Sequence, residues 1–385
     1  MPPLRVAIVH SFYDSRQPSG ENTQVEAERH ALAQAGAEVR LFGASTDERG
    51  SERFYRARAA MRVATHRGAS ALDAVDHFQP HIVHVHNLFP NLGRRWVAAL
   101  DVPVVVSLHN FRFVCAAATL FRDGGVCTDC PDGHPWAAVR HRCYRGSVAA
   151  TLPLVLGNRG GPTSDPVIRR ADRLLCIFPR QRLILEKAGV ASDRIVPWHN
   201  FLPDSLAPPD RYATARDGCL YVGRLTAEKG VADLVSRWSG DMPLTVIGEG
   251  PLRTEVEMLA RGRNVVVLGP TPRSRVIDLL RRSVALALPS LWPEAMPLIA
   301  IEALACGVPI IARAETASAE PILEDEIGMV VPDAAAFPAA AARLAVEPDI
   351  SERCRKVFET RYTEAGWVRR ITELYGTLLR TRRNA

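Results

Sequence analysis

The sequence predicts an α/β fold with two doubly wound domains of parallel strands and helices. Short apolar runs alternate with helical patterns in both halves of the chain, as is typical of parallel sheets covered by helices. The 385 residues suffice for two domains, each with a sizeable core. A segment containing Pro203, Pro208 and Pro209 separates the halves and is the expected linker.

The composition is that of an ordinary globular chain, with 47% hydrophobic and 23% charged residues. The net charge of +6 and the pI near 9.0 favour an anionic partner, such as a nucleotide, a membrane surface or a nucleic acid. Aromatic residues are poorly interleaved with basic ones, so we expect no nucleic-acid partner. The sequence shows no membrane span and no signal-peptide pattern, which predicts a cytoplasmic protein.

The chain opens with an apolar strand at Leu4–His10, a glycine-containing loop and a helix that ends near Gly36. Backbone N–H groups around Gly20 would lie close to a phosphate at the start of this helix. The G-x-G-x-x-G dinucleotide fingerprint is absent, and an ordinary strand-to-helix turn is the alternative interpretation.

A second strand at Glu38–Phe42 precedes a basic helical segment with arginines at positions 53, 56, 58, 62 and 67. A basic amphipathic helix can bind anionic lipid headgroups, which would place the protein at the inner membrane face as a peripheral protein. The alternative is a solvated helix face without a ligand.

Two of the next strands involve histidines. The alternating segment His81–His86 predicts a buried strand whose histidines are satisfied by interior hydrogen bonds rather than by a metal. The strand at Val102–Leu108 leads directly into His109. A histidine at the carboxyl end of a central strand can bond a substrate hydroxyl or stabilise charge at a reacting centre. His109 is therefore a candidate catalytic residue.

A loop-like segment after His109 contains half of the eight cysteines, namely Cys115, Cys127, Cys130 and Cys143. A C-x2-C pair flanked by two further cysteines suits a tetrahedral structural zinc site, for which His134 and His141 are alternative ligands. Reduced thiols without a metal and disulfides are the other interpretations. The sequence has no open site of two histidines and a carboxylate, so we expect no catalytic metal.

The second half begins with a strand that ends at Gly223, followed in the loop by Arg224 and Lys229. Two cations at the carboxyl end of a strand suit a diphosphate, because negative charge grows on such a leaving group as its bond breaks. The alternative is a pair of solvated basic residues.

The apolar strand Val284–Leu288 precedes a loop with Glu294 and a helix that Pro297 could open. Glu302 lies in that helix among alanine, isoleucine and leucine residues. A carboxylate in so apolar a helix is expected to be paired, hydrogen-bonded or in use, whereas an exposed position is the alternative.

This segment resembles the E-x7-E signature of the retaining glycosyltransferases of family 4 (GT4), and G-R-x5-K-G around Arg224 is a second match. The resemblance implies that Glu294 contacts the transferred sugar, that Glu302 binds the ribose, and that Arg224 and Lys229 hold the diphosphate. Many members carry Phe-Gly where this chain has Met296-Pro297. The other residues implied to meet the donor are Gly20, His109, Met296, Pro297 and Leu298.

The resemblance also implies the GT-B fold, in which two Rossmann-like domains face a central cleft. We expect an acceptor-side domain over residues 1–203 with a cysteine-rich insertion at 113–150, and a nucleotide-sugar domain over 204–360. Residues 361–385 would form a helix that crosses back to the first domain.

The expected function is retaining, metal-independent transfer of a sugar from a nucleotide-diphosphate donor to a glycan, a lipid-linked or a small-molecule acceptor. A sugar-nucleotide epimerase, a phosphorylase and a catalytically silent nucleotide-sugar-binding protein are the alternatives.

Overall fold

The computed structural model describes residues 3–15, 20–202, 216–294 and 296–383. These residues form two compact units. The first comprises the described parts of 1–120, 127–200 and 367–385, and the second those of 121–126 and 201–366. Ser19, at the predicted phosphate loop, and the three linker prolines lie outside the described residues. None of the described helices is long and apolar enough to cross a bilayer.

The first unit is built on a parallel sheet of six described strands in the order β2-β1-β3-β4-β7-β8. Its strands are short apolar runs, and those at its centre are buried, as expected when helices cover both faces of a sheet. The strands are β1 (Arg5–Phe12), β2 (Glu38–Ser45), β3 (Ile82–Val85), β4 (Val104–Leu108), β7 (Arg173–Cys176) and β8 (Ile195–Pro197).

The helices of this unit follow the strands in alternation. The first, α1, buries one face through residues spaced three or four apart, as an amphipathic helix on a sheet does. The helices are α1 (Gly20–Gln34), α2 (Thr46–Arg49), α3 (Tyr55–Thr65), α4 (Leu72–Phe78), α5 (Ala137–Arg140), α6 (Val148–Asn158), α7 (Pro166–Arg170), α8 (Pro179–Lys187) and, from Trp367 onward, α16 (Glu364–Arg383).

The second unit has its own parallel sheet of six described strands in the order β11-β10-β9-β12-β13-β14. This is the doubly wound order, in which the chain starts at the middle of the sheet, builds one half and then returns to build the other. The strands are β9 (Cys219–Val222), β10 (Leu244–Ile247), β11 (Val265–Gly269), β12 (Ala285–Leu288), β13 (Ile310–Arg313) and β14 (Gly328–Val331).

Helices again separate these strands. They are α9 (Val231–Arg237), α10 (Arg253–Ala260), α11 (Arg273–Arg282), α12 (Leu298–Ala305), α13 (Ala319–Glu324), α14 (Phe337–Leu344) and α15 (Ile350–Arg361). Pro297 is the residue immediately before α12, one position earlier than the first helical turn that the sequence suggested. A two-stranded hairpin of β5 (Phe121–Arg122) and β6 (Gly125–Val126) completes the strands of the described chain.

Gly230 fixes the distance between the loop after β9 and the end of β12. It ends a 3-10 turn at Ala227–Lys229 with a φ of 67°, a conformation that disfavours side chains. A Cβ atom at this position would lie 2.0 Å from the carbonyl oxygen of Pro289. The loops are also joined by a backbone hydrogen bond in which Leu291 N donates to Glu228 O, 2.9 Å away. Only glycine allows this approach.

We expect Gly230→Ala to lower the free energy of unfolding by at least ~3 kcal/mol, because left-handed strain of about 1–2 kcal/mol adds to a backbone overlap. Gly240→Ala is the matched control, since Gly240 has a φ of 90° but open space within 4 Å of the position that a Cβ atom would take. The control should lose only about 1 kcal/mol. Denaturant unfolding of both variants measures the difference, and equal losses would contradict the close approach.

Candidate functional site

The central strands of the second sheet, β9 and β12, lie side by side where the strand order reverses. In doubly wound sheets ligands bind outside the carboxyl ends of strands at this point. Arg224 and Lys229 follow β9, whereas Ser290 and Glu294 follow β12. The sheet topology thus brings two predicted cations and a predicted carboxylate to one edge.

Lys229 and Glu294 form a direct ion pair between Nζ and Oε1. The Glu294 side chain is buried, and its other oxygen accepts a hydrogen bond from Ser290 Oγ. Its backbone carbonyl accepts a further bond from Ser318 Oγ at 3.2 Å. The Lys229 ammonium also lies 5.5 Å from the ring centroid of Trp292, within cation–π range. Glu294 is therefore held in one orientation by three neighbours.

Arg224 is the exposed cation of this edge, with 60% of its side chain accessible. Its Nη2 atom lies 3.1 Å from Glu228 Oε1, which also accepts a bond from Thr226 Oγ1 at 2.7 Å. The Tyr221 hydroxyl donates to the Arg224 carbonyl at 2.8 Å, and burial raises the pKa of Tyr221 well above its ordinary value. The backbone is fixed here, whereas the guanidinium remains available to an anion.

Glu302 is buried in α12, as the apolar helix predicted, and pairs with Arg273 at 2.6 Å. Burial raises the pKa of Glu302, and the charge of Arg273 opposes that rise. Met296 is buried, while Pro297 and Leu298 are partly exposed at the start of the helix. The edge therefore alternates cations with carboxylates, which suits a ligand that carries both phosphates and hydroxyl groups.

The first unit has a cluster of four histidines at the carboxyl ends of β1, β3 and β4. His84 is fully buried, and its ring nitrogens bond Tyr375 OH at 2.8 Å and Ser107 Oγ at 2.9 Å. His86 Nδ1 lies 2.8 Å from His109 Nε2. The remaining member is His10, whose Nε2 lies 2.9 Å from Asn22 Oδ1. The prediction of satisfied interior histidines is confirmed for His84.

Burial keeps this cluster uncharged near neutral pH. It lowers the pKa of His84 and of His109 to about 3 and that of His10 to about 4. The His86 pKa also lies well below its ordinary value, because of burial and then the neighbouring imidazoles. Glu28 of α1 is buried against the same rings, and its pKa is raised to about 8.

Glu28, His84 and His86 bring three ligand atoms within 4.8 Å of one another, the one such group among the described residues. Both nitrogens of His84 already have hydrogen-bond partners, however, so this residue could bind a metal only by losing one of them. We therefore interpret the group as a hydrogen-bonded cluster.

A pocket in the same unit is lined by His86, His109, Glu21 and Arg112. Burial raises the pKa of Glu21 to about 7, although Arg112 and two asparagines oppose the rise. Asn110 Nδ2 donates to Glu21 Oε2 at 3.3 Å, while Glu21 Oε1 is buried without a partner. His109 therefore lies beside a small polar pocket in which one carboxylate oxygen remains unsatisfied.

The other predicted residues of the first unit lie elsewhere. Gly20 is exposed and is the first residue of α1. The four clustered cysteines are all free thiols, one of them buried and the others partly exposed.

Sequence reasoning missed Glu228 and Ser290 in the second unit and Glu28 in the first. Glu28 had a readable signal, because it lies on the face of α1 that also carries Val25, Ala31 and Leu32. The signal is weaker than that of Glu302, because the rest of α1 is polar whereas α12 is apolar throughout. Glu228 and Ser290 had no such signal, since polar loop residues are common next to strand ends.

Two protein-family models match the chain. The model described as Glycosyltransferase Family 4 matches residues 18–206, and the one described as Glycosyl transferases group 1 matches residues 214–357. Together they cover most of both units.

Curated relatives match shorter segments. An exopolysaccharide phosphotransferase from Streptomyces coelicolor is 31% identical over 189 residues, which are 45% of this chain and 20% of the relative. The glycogen synthase of Mycobacterium tuberculosis is 30% identical over 244 residues, 60% of this chain and 59% of the relative. The chain thus spans between a fifth and about three fifths of the length of these two relatives.

Solved structures match nearly the whole chain at low identity. Sucrose-phosphate synthase from Thermosynechococcus elongatus has a TM-score of 0.70 at 17% identity, covering 98% of this chain and 100% of that one. HepE from Anabaena, solved in complex with UDP and glucose, has a TM-score of 0.61 at 13% identity, covering 97% and 99%. These likenesses establish the fold.

The cluster of buried groups predicts a stability maximum near neutral pH. Between about pH 4 and 6.5 the unfolded histidines bind protons that the folded ones do not, so stability rises with pH. From about pH 4.5 to 8 the folded chain keeps the proton of Glu28 that the unfolded chain loses, and above pH 6.5, where the histidines no longer oppose this effect, stability falls until about pH 8. One pKa unit corresponds to ~1.4 kcal/mol, so Glu28 contributes a fall of up to about 2 kcal/mol in this window.

We expect Glu28→Gln to remove the part of this fall between about pH 7 and 8, because an amide does not titrate there. Glu26→Gln is the matched control, since Glu26 is an exposed residue of the same helix that pairs with Arg29. Denaturant unfolding at a series of pH values measures the effect. An unchanged fall in Glu28→Gln would show that Glu28 is ionised in the folded protein.

Proposed function

The chain belongs to the GT4-type glycosyltransferases with the GT-B fold, and from this premise we propose that it is a retaining enzyme that uses a nucleotide-diphosphate sugar without a catalytic metal. The observation that carries the proposal is the group of Arg224, Lys229 and Glu294 at the switch point of the second sheet. Two cations at this edge can neutralise a departing diphosphate, the task that a divalent metal performs in other enzymes.

We assign the donor as follows. Arg224 and Lys229 bind the diphosphate, and release of Lys229 from its ion pair frees Glu294 to accept a sugar hydroxyl. The backbone of Met296, Pro297 and Leu298 also contacts the sugar, next to Glu294. Glu302 accepts hydrogen bonds from the ribose hydroxyls. Its partner Arg273 holds the carboxylate of Glu302 in place. In the first unit, Gly20 meets the diphosphate and His109 the sugar.

We propose that retention proceeds by substitution on one face of the sugar, without a covalent intermediate on a carboxylate. Glu294 is held by Lys229 and Ser290, and Glu302 by Arg273. A leaving diphosphate oxygen can instead take the acceptor proton on the face that it departs from. The product then keeps the anomeric configuration of the donor.

The acceptor is proposed to be a glycan, a lipid-linked glycan or a small molecule. The basic helix α3 supports a peripheral membrane contact, because Met61 and the preceding Phe54 are each 65% exposed beside its arginines. Arg62 is an exception, since it is buried and donates to Asn91 O at 2.6 Å. The exposed arginines of this helix are Arg56 and Arg58.

We expect one of UDP, GDP, ADP or TDP to raise the unfolding temperature without added metal, and equally in EDTA or Mg²⁺, because a ligand that binds the folded state stabilises it by mass action. Arg224→Ala and Lys229→Ala should each reduce the shift and lower the transfer rate by about 10²–10³-fold. Arg261→Ala, which removes an exposed cation outside the edge, should change neither.

A folded protein that responds to none of the four nucleotides contradicts the proposed donor site. A response that requires Mg²⁺ contradicts metal independence. With the matching nucleotide-sugar, NMR of the product separates transfer with retention from inversion, epimerisation and simple hydrolysis.

We also propose a structural zinc ion at the four clustered cysteines. Cys130 and Cys143 pack against the same small apolar group as Ala116, the neighbour of Cys115. Burial, and then the other three thiols, raises the pKa of Cys130 to about 12. No three of these sulfur atoms reach ligand spacing in the described structure, so side-chain rotation would accompany binding. The soft, partly buried donor set suits zinc rather than a hard cation.

Metal analysis should find about one zinc per chain, and Cys130→Ala should lose it together with thermal stability, because a structural zinc stabilises only the folded state. Cys176→Ala, a buried thiol of β7 in the same unit, should retain the metal. If the protein contains no metal and neither zinc nor EDTA changes its thermal stability, the thiols are unliganded and the proposed zinc site is contradicted.

A further inference from the structure

His109 uses one ring nitrogen within the protein and leaves the other for a ligand. Its Nε2 lies 2.8 Å from His86 Nδ1, and the ring planes are 22° apart with centroids 5.1 Å apart. The nearly parallel rings are therefore joined by a hydrogen bond between these two nitrogens. No described group bonds His109 Nδ1, and the ring lines the pocket with Glu21.

A neutral imidazole carries one N–H and one bare nitrogen. If His86 Nδ1 carries the proton, the bare His109 Nε2 accepts a hydrogen bond from it, and His109 Nδ1 must carry an N–H that donates to a ligand. If His109 Nε2 carries the proton instead, Nδ1 is bare and accepts from a ligand. The tautomer of His86 therefore sets the tautomer of His109.

The free nitrogen of His86 faces Glu28. His86 Nε2 and Glu28 Oε2 are 3.5 Å apart, and both atoms are buried without a hydrogen-bond partner, so a small approach of the two side chains would join them in a hydrogen bond. The second Glu28 oxygen faces Gln24 Nε2, also at 3.5 Å. An N–H donor at Oε1 leaves Oε2 as the oxygen that carries the acid proton when Glu28 is neutral.

Few other groups compete for this contact. From β3, His84 stacks on His86 with a centroid distance of 4.4 Å, but both its nitrogens are bonded. From α16, Tyr375 bonds His84, and from β1, His10 meets His86 edge to face at 6.3 Å. The one other carboxylate near the cluster on α1, apart from Glu21 in the pocket, is the exposed Glu26.

We infer that Glu28 is a positioning residue: through His86, its carboxyl group sets which nitrogen of His109 carries the proton, and so whether His109 donates to or accepts from the ligand. A neutral Glu28 donates to His86 Nε2, so His86 Nδ1 donates to His109 and His109 Nδ1 presents an N–H. An ionised Glu28 instead accepts from His86 Nε2, so His86 Nδ1 accepts from His109 Nε2 and His109 Nδ1 is bare.

The inference rests on the proposed contact of His109 with the donor sugar, which it deepens. Near neutral pH the buried carboxyl is protonated, since its pKa is raised to about 8. His109 then donates to a sugar oxygen. At higher pH it would accept from a sugar hydroxyl instead.

The test reads the tautomer directly in ligand-free, full-length protein labelled with ¹⁵N-histidine. Protonated and bare ring nitrogens have distinct ¹⁵N shifts, and His109→Gln identifies the His109 signals. At about pH 6.5 we expect the proton on His109 Nδ1, and at about pH 9.5 on Nε2. Glu28→Gln should hold the proton on Nδ1 at both values, because Gln24 Nε2 donates to the side-chain oxygen at position 28 and so turns the N–H₂ of the amide toward His86.

Glu26→Gln and Glu21→Gln are the controls and should switch as the unaltered protein does. The Glu21→Gln control is needed because the pKa of Glu21, at about 7, also lies between the two pH values of the test. A His109 that keeps one tautomer in the unaltered protein, or that switches in Glu28→Gln, overturns the inference. The nucleotide response is measured separately, so its loss would overturn the proposed donor site and leave the tautomer result intact.

Discussion

The burial of ionisable side chains at the carboxyl ends of parallel strands is the constraint on which both sites depend. Strands covered on both faces are mostly apolar, so polar groups gather toward the ends of these strands. A charge that is removed from water there must be paired or neutralised, since otherwise it costs several kcal/mol. The close approach of the loops after β9 and β12, which only a glycine at position 230 permits, brings the ends of these two strands together.

The two units meet this constraint in opposite ways. In the second unit cations pair with carboxylates, as Lys229 does with Glu294 and Arg273 with Glu302. In the first unit burial removes the charge, so that His84, His109 and Glu28 are neutral near pH 7. The paired edge suits an anionic ligand rich in hydroxyl groups, whereas the neutral cluster can only direct hydrogen bonds.

Much of this arrangement could be predicted from local sequence. Apolar runs located the strands to within a few residues, and the contrast between Glu302 and its apolar neighbours indicated a buried carboxylate. The contact between Glu28 and His86 could not be predicted in this way, because it depends on the register of the strands. Val85 pairs with Val106, which sets His86 beside the end of β4, and only the packing of α1 brings Glu28 to it. Residues distant in sequence share a contact that no short pattern encodes.

The neutral state of His109 has a direct consequence for the proposed reaction. As the bond to a nucleotide diphosphate breaks, positive charge develops on the sugar ring. An imidazolium about 4 Å away would oppose that charge by ~4 kcal/mol at an effective dielectric constant of about 20, which corresponds to roughly a thousandfold in rate. A pKa of about 3 keeps the ring uncharged near neutral pH. In the proposed reaction, burial near the other imidazoles would therefore favour catalysis by keeping His109 unprotonated, while its hydrogen bond with His86 holds the ring in place.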